Sequence, residues 1–149
     1  MGFAAPSLKG RALRLLSGRE YSRLELERKL ATFEEEPGSV AAALDDLQAK
    51  GFISEQRVLE SVVNRRVGKL GAARIKQELQ TKGLAPEAVA QAVSELRTTE
   101  VARAREVWRK KFAQAPADAA QRAKQMRFLA SRGFGGDTIA RVVAGGNDD

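Results

Sequence analysis

Apolar residues recur along most of the chain three and four positions apart, which is the period of an α-helix with one buried face. Ile75 and Leu79 lie one helical turn apart, and Val89 and Val93 have the same spacing. No segment alternates apolar and polar residues for long enough to form a half-buried strand. The pattern therefore predicts an all-α protein.

The helical pattern occurs three times at nearly constant spacing. Leu79 corresponds to Leu30, 49 positions earlier, and to Leu129, 50 positions later, and Val93 corresponds to Val143. Short helical units bury their apolar faces by stacking on one another, so a repeat of this kind favours an extended binding surface over a single active site. We predict three three-helix repeats over residues 1–53, 54–99 and 100–149, the last ending in a short disordered tail.

Capping residues mark the predicted helix ends. Ser22 and Glu25 have the capping-box spacing, in which the hydroxyl accepts the amide of the third helical residue and the carboxylate accepts the amide of the cap. Pro37 suits a first helical position, the acidic residues 34–36 suit the positive end of the helix dipole, and Gly51 suits a left-handed helix end. We predict helices over residues 7–16, 22–33, 37–50, 54–67, 72–82, 86–96, 100–112, 117–132 and 137–144.

The composition excludes much of the chemistry of enzymes. The chain has no cysteine and no histidine, which removes disulfides, thiolate nucleophiles, histidine bases and nearly every structural zinc arrangement. The Gly68-Lys69 pair lacks the spacing of a phosphate-binding loop. We therefore expect neither an enzyme nor a metal or other cofactor. Without a signal-like start or an uncharged stretch near ~20 residues, we expect a cytoplasmic protein that does not bind membranes.

Basic residues dominate the later part of the chain. The net charge is +7, made up of 0 in residues 1–50, +3 in residues 51–99 and +4 in residues 100–149. A pI of about 10.1 with clustered arginine and lysine is typical of a protein that works on nucleic acid or on an acidic protein surface. Charged runs on helices are ordinarily solvated, and Arg74 and Glu78 are spaced to pair with each other. The candidate binding residues are Arg65, Arg66, Lys69, Arg74, Lys82, Arg103, Arg105, Arg109, Lys110, Lys111, Arg122, Lys124, Arg127 and Arg132.

Several segments, in their order and spacing, resemble the RecX regulatory family across nearly the whole chain. They are Ala-Leu-Arg-Leu-Leu at 12–16 with residues 22–30, residues 44–47 with Gly-Phe-Ile-Ser at 51–54, the glycine-bounded core at 71–83, and Phe-Leu-Ala-Ser-Arg-Gly-Phe at 128–134. Two departures lie at turns. The family usually has an acidic pair and an aromatic residue where this chain has Ser54-Glu55 and Val58, and it commonly has proline where this chain has Ala72.

The resemblance implies three tandem three-helix repeats in an elongated, curved stack. It also implies a protein that binds the RecA recombinase filament on DNA. From the basic residues we expect weakly sequence-selective binding to single- or double-stranded DNA, and we expect a monomer. Such a protein would restrain strand exchange and associated activities in DNA recombination, DNA repair and the SOS response, with the basic residues against the filament or the DNA.

A direct nucleic-acid-binding protein of the helix-turn-helix type is the alternative, because three short helices with a capped middle helix also describe that module. The third helix of each repeat is rich in alanine and valine, whereas base recognition needs a polar helix.

Overall fold

The computed structural model describes residues 5–145, which contain nine α-helices, one turn of 3-10 helix and no strand. The all-α prediction is confirmed, and the predicted disordered tail lies outside the described residues. The helices are α1 (Leu8–Leu16), α2 (Arg23–Leu30), α3 (Ser39–Ala49), α4 (Glu55–Arg66), α5 (Ala72–Thr81), α6 (Pro86–Thr98), α7 (Glu100–Phe112), α8 (Ala119–Ser131) and α9 (Gly136–Gly145), with the 3-10 turn (Ala31–Phe33) directly after α2.

The chain forms two compact units. The amino-terminal unit comprises Met1–Ser61 and Thr81–Ala85, and the carboxy-terminal unit comprises Val62–Gln80 and Pro86–Asp149. A division into compact units is not a division into repeats, so the predicted boundaries of the three repeats stay a prediction. Within residues 5–145, none of the helices is both long enough and apolar enough to span a membrane.

The core of the amino-terminal unit lies between α1, α2 and α3. Ala12, Leu26, Leu30 and Leu44 are almost completely buried there. The predicted capping box at the start of α2 is confirmed: the Glu25 amide donates to Ser22 Oγ over 3.2 Å, and the Ser22 amide donates to Glu25 Oε1 over 2.9 Å. Local sequence therefore fixes where α2 begins, and burial of its apolar side fixes how it packs.

The predicted start of α3 is wrong by two residues. Pro37 lies in a turn, and α3 begins at Ser39 because Gly38 takes a left-handed conformation with φ of 88°, which breaks the helical path. Glu34 Oε1 accepts the Val40 amide over 3.1 Å, so one carboxylate of the acidic run stabilises the amino end of α3 as expected. The predicted left-handed glycine after α3 is confirmed, since Gly51 has φ of 85°, and the helix ends at Ala49, one residue before the predicted end.

The core of the carboxy-terminal unit is built largely on α7, α8 and α9. Trp108 is completely buried and packs with Leu129, Ile139 and Val142. Its indole N–H donates to Gln125 Oε1 over 2.8 Å, so the one polar atom of the indole has a partner inside the core. α5 and α6 of the same unit bury the apolar residues that the helical pattern predicted for them.

Candidate nucleic-acid interface

A buried carboxylate holds three helices of the carboxy-terminal unit together. Glu100 is only 7% exposed and begins α7. Its Oε1 accepts the Ala72 amide at the start of α5 over 2.7 Å, and its Oε2 accepts the Gly135 amide over 3.2 Å and the Thr138 hydroxyl over 3.4 Å near the start of α9. A negative charge at the amino ends of two helices satisfies unpaired amides and complements both helix dipoles. The charge of Glu100 therefore sets the positions of α5, α7 and α9.

Arg103, one turn after Glu100, binds backbone carbonyls instead of facing solvent. Its guanidinium donates to the carbonyls of Val67, Leu70 and Leu96 at 2.9–3.1 Å. Burial lowers the pKa of Arg103, against the opposing effect of the nearby Glu100 carboxylate. The side chain joins the α4–α5 connection and the end of α6 to α7, which is a structural role.

A close contact between backbones brings basic residues of α5 and α8 together. The Gly71 amide donates to the Arg132 carbonyl over 2.8 Å, and the Ala73 amide donates to the Gly133 carbonyl over 3.3 Å. A side chain on Gly71 would overlap the Gly133 carbonyl, and Gly133 itself has φ of 89°. Because these two backbone segments meet here, Arg74 can donate to the Ser131 carbonyl, next to Arg132, over 2.6 Å.

Phe128 gathers cations from two helices. The Arg132 guanidinium carbon lies 4.9 Å from the centroid of the Phe128 ring, and Lys111 Nζ from the end of α7 lies 5.5 Å from it. Phe112 packs edge-on against the same ring, with centroids 5.4 Å apart. Lys124 lies one helical turn before Phe128. We call Arg74, Lys111, Lys124, Phe128 and Arg132 the basic aromatic surface.

The other predicted binding residues fall into two groups. Some have acidic partners: Arg66 and Arg65 lie 3.0 and 3.9 Å from Glu78, and Arg109 lies 2.7 Å from Glu106. Glu78 thus pairs with the end of α4 rather than with Arg74. Among the described residues, no carboxylate lies within 4.0 Å of the exposed side chains of Lys69, Lys110, Arg122 and Arg127. Within the described residues, the Nε atom of the half-buried Arg105 has no hydrogen-bond partner.

Lys82 belongs to an ion-pair network in the amino-terminal unit. Its side chain is 12% exposed and lies 3.1 Å from Glu25, which also pairs with Arg19 at 3.0 Å. Burial would raise the pKa of Glu25, but hydrogen bonds from Arg19, the Ser22 amide and Lys82 outweigh it and lower the pKa to about 2. The position of Lys82 is therefore that of a structural partner of Glu25, separate from the basic aromatic surface.

Sequence reasoning found the residues of the basic aromatic surface except Phe128, and it missed Glu100. Only the tertiary contacts reveal either one, because a phenylalanine or glutamate within a helix carries no distinguishing local pattern. The acidic side chains do not form a metal site: the described residues contain no cluster of three or more that could hold a metal ion.

Three consecutive family models match the chain, which places it among all-α proteins built from three-helix domains. They describe the first, second and third three-helix domains of RecX and match residues 9–47, 54–93 and 98–143. The regulatory protein RecX of Leptothrix cholodnii is 54% identical over 92% of this chain and 87% of its own length. That of Ralstonia pickettii is 44% identical over 95% of this chain and 89% of its own. The chain belongs to the RecX family of regulatory proteins.

Solved structures agree with the fold. A crystal structure of RecX from Lactobacillus salivarius has a TM-score of 0.75 at 20% sequence identity and covers 93% of both chains. A second crystal structure, of a regulatory protein RecX, has a TM-score of 0.75 at 18% identity and covers 93% of this chain and 71% of its own. The predicted family and the predicted three three-helix domains are confirmed.

Proposed function

We propose that this protein binds the RecA recombinase filament on DNA and inhibits strand exchange, and that the carboxy-terminal unit supplies the main electrostatic contact. Membership of the RecX family supports the identity of the partner. The observation that carries the choice of surface is that Lys111 and Arg132 lie over the Phe128 ring and Arg74 donates to the Ser131 carbonyl next to Arg132, with no carboxylate of the described residues paired to these cations. In this proposal the protein works as a monomer in the cytoplasm.

The proposed mechanism is electrostatic and steric. Cations that lack acidic partners inside the protein are available to phosphates or to carboxylates of the filament. Lysine and arginine side chains that contact phosphates do not read the bases, so contact with DNA would be weakly sequence-selective. A protein held along the filament would obstruct the pairing of a second DNA molecule without any chemical step.

The third helices of the repeats argue against the rival function, direct reading of a DNA duplex. α6 exposes Glu87 and Glu95, and α3 exposes Asp45. Carboxylates on a helix in the major groove would lie between two phosphate backbones, whose negative charges repel them. The basic aromatic surface instead draws on α5, α7 and α8.

A triple charge reversal tests the proposed surface. We expect Lys111→Glu, Lys124→Glu and Arg132→Glu together to weaken both cosedimentation with RecA filaments and inhibition of strand exchange by at least about tenfold, since repulsion replaces attraction at three positions. The matched control reverses Arg28, Arg97 and Arg141, which are exposed, have no ion pair within the described residues and lie outside the proposed surface.

The two variants carry the same net charge, so they separate a local contact from general attraction. Circular dichroism and thermal unfolding establish that each variant is folded. Equal inhibition by the folded triple variant and the parent would exclude this surface. Strong binding to one duplex sequence in the absence of RecA would favour the rival function.

A further inference from the structure

A groove with an apolar floor runs along the amino-terminal unit between α1 and the segment formed by α2 and the 3-10 turn. Its volume is about 530 Å³. Pro6, Leu15, Leu30 and Phe33 supply its apolar lining. The Phe33 side chain is 43% exposed, although large aromatic residues are ordinarily well buried. Solvent is therefore in contact with apolar surface that a partner could cover.

The rim of this groove is basic. Arg11, Arg14 and Lys29 line it, and no acidic residue does. No ion pair within residues 5–145 engages any of these three side chains at 4.0 Å or less. The groove thus combines an apolar floor with three cations that lack acidic partners.

The positive rim is notable because residues 1–50 have no net charge. Other cations pair with five of the eight carboxylates of residues 1–50: Glu20, Glu25, Glu27, Asp45 and Asp46 lie 2.7–3.1 Å from basic side chains that are not at the rim. The other three, Glu34, Glu35 and Glu36, line an adjoining cleft that shares Arg11 and Phe33 with the groove, so the groove is positive on the side of Arg14 and Lys29, which do not line that cleft. An acidic partner would supply the missing charges.

We infer that this groove binds a peptide segment of another protein in which apolar side chains are flanked by carboxylates. The floor would receive one or two apolar side chains, and a volume of about 530 Å³ is within the range of about 300–1,000 Å³ that binding clefts have. The rim cations would pair with the flanking carboxylates. A peptide fits better than a nucleic acid, because Pro6, Leu15 and Leu30 make most of the floor aliphatic, and the one aromatic ring of the lining, Phe33, already has the Arg11 guanidinium carbon 3.7 Å from its centroid.

The inference is independent of the proposed function, because no residue of the groove belongs to the basic aromatic surface. The test uses a fluorescein-labelled synthetic peptide with leucine and phenylalanine at its centre and glutamates on both sides, titrated with the full-length protein and followed by anisotropy. We expect saturable binding that weakens about tenfold in the double variant Arg14→Glu, Lys29→Glu, because reversal places like charges together. Phe33→Ala is expected to weaken it as well, through lost apolar contact.

Matched controls make this experiment decisive. Arg28→Glu with Arg97→Glu changes the charge equally but leaves the groove intact, so its affinity should match the parent's, and so should that of Lys111→Glu, Lys124→Glu, Arg132→Glu. A peptide with lysine for glutamate, or alanine for leucine and phenylalanine, should bind at least about tenfold more weakly. The inference is overturned if the Arg14, Lys29 variant and the Phe33 variant both bind like the parent, if the alanine peptide binds equally well, or if oligothymidylate displaces the peptide from the groove.

Discussion

The two compact units, although both are built from short helices, expose different chemistry. In the amino-terminal unit half of the ten described carboxylates pair with cations, and the exposed large apolar side chains of the described residues, Leu13, Phe33 and Phe52, all lie there. In the carboxy-terminal unit the apolar side chains are covered, and exposed cations surround Phe128. The difference shows that the packing of the helices determines which side chains form the core. The few charged side chains without internal partners determine what each surface can bind.

The largest expected effect comes from removing the carboxylate that organises the carboxy-terminal unit. Glu100→Ala leaves two amides and a hydroxyl without their acceptor, and we expect it to lower the free energy of unfolding by about 3 kcal/mol. Urea unfolding followed by tryptophan fluorescence measures the stability of this unit, because Trp108 is the only tryptophan. Glu106→Ala is the control, since its exposed pair with Arg109 should be worth less than about 1 kcal/mol. Equal unfolding midpoints for the two variants would contradict the role of Glu100.

The next effect concerns the salt dependence of the DNA binding that we propose for the carboxy-terminal unit. Each lost phosphate contact reduces the slope of log affinity against log salt by about 0.7 on single strands, so Lys111→Glu, Lys124→Glu, Arg132→Glu should reduce it by about 2. At low salt the affinity itself should fall about a hundredfold, which corresponds to about 2.7 kcal/mol. Titrations of labelled oligothymidylate at several salt concentrations measure both. If the variant and the parent had the same slope, the phosphate contacts would lie elsewhere.

A smaller effect is expected from acid in the amino-terminal unit. The pKa of Glu25 is about 2 in the folded protein and about 4.3 in an unfolded chain, so its ion pairs stabilise the fold fully above about pH 5. That contribution, on the order of 2 kcal/mol after allowance for its partial exposure, is lost as the pH falls toward 2. Unfolding monitored at pH 7 and pH 3 should differ less in Glu25→Gln than in the parent. Glu60→Gln, an exposed change in α4, should keep the parent's pH dependence.

The smallest effect tests a residue at which this chain departs from its family. Ala72→Pro removes the amide that donates to Glu100 Oε1 but suits the first position of α5, because proline is favoured at the first residue of a helix. We expect a net loss of about 1 kcal/mol, because one charge-assisted hydrogen bond is removed while the unfolded chain is stiffened. Thermal unfolding measures the change. In a Glu100→Gln background the loss should shrink, and an unchanged loss there would point to strain rather than to the hydrogen bond.

Local sequence predicted what local contacts determine. The capping box of Ser22 and Glu25 and the left-handed Gly51 depend on residues a few positions apart, and both predictions are confirmed. The start of α3 was misplaced because Gly38 takes a conformation that the neighbouring proline does not indicate.

Long-range contacts explain what sequence could not predict. Sequence predicts Arg103 as one of several binding cations on α7, yet its acceptors Val67 and Leu70 lie 36 and 33 positions earlier. Two partners of Glu100, Ala72 and Gly135, are also distant in the sequence, at 28 and 35 positions. The spacing of basic residues therefore suggested a binding surface, but only packing separates cations that face solvent from those that hold the fold together.

The backbone contact at Gly71 and Gly133 has a consequence for protein engineering. Main-chain atoms make the contact itself, so it requires glycine at both positions, and the side chains of Arg74, Glu100 and Arg103 add contacts beside it. A chimaera that takes its third repeat from another RecX protein should therefore assemble only if it keeps both glycines and the contacts that Glu100 and Arg103 make with residues 67–72. Segments with different surface charges could then be exchanged as modules, which would allow the binding properties of each repeat to be assigned one at a time.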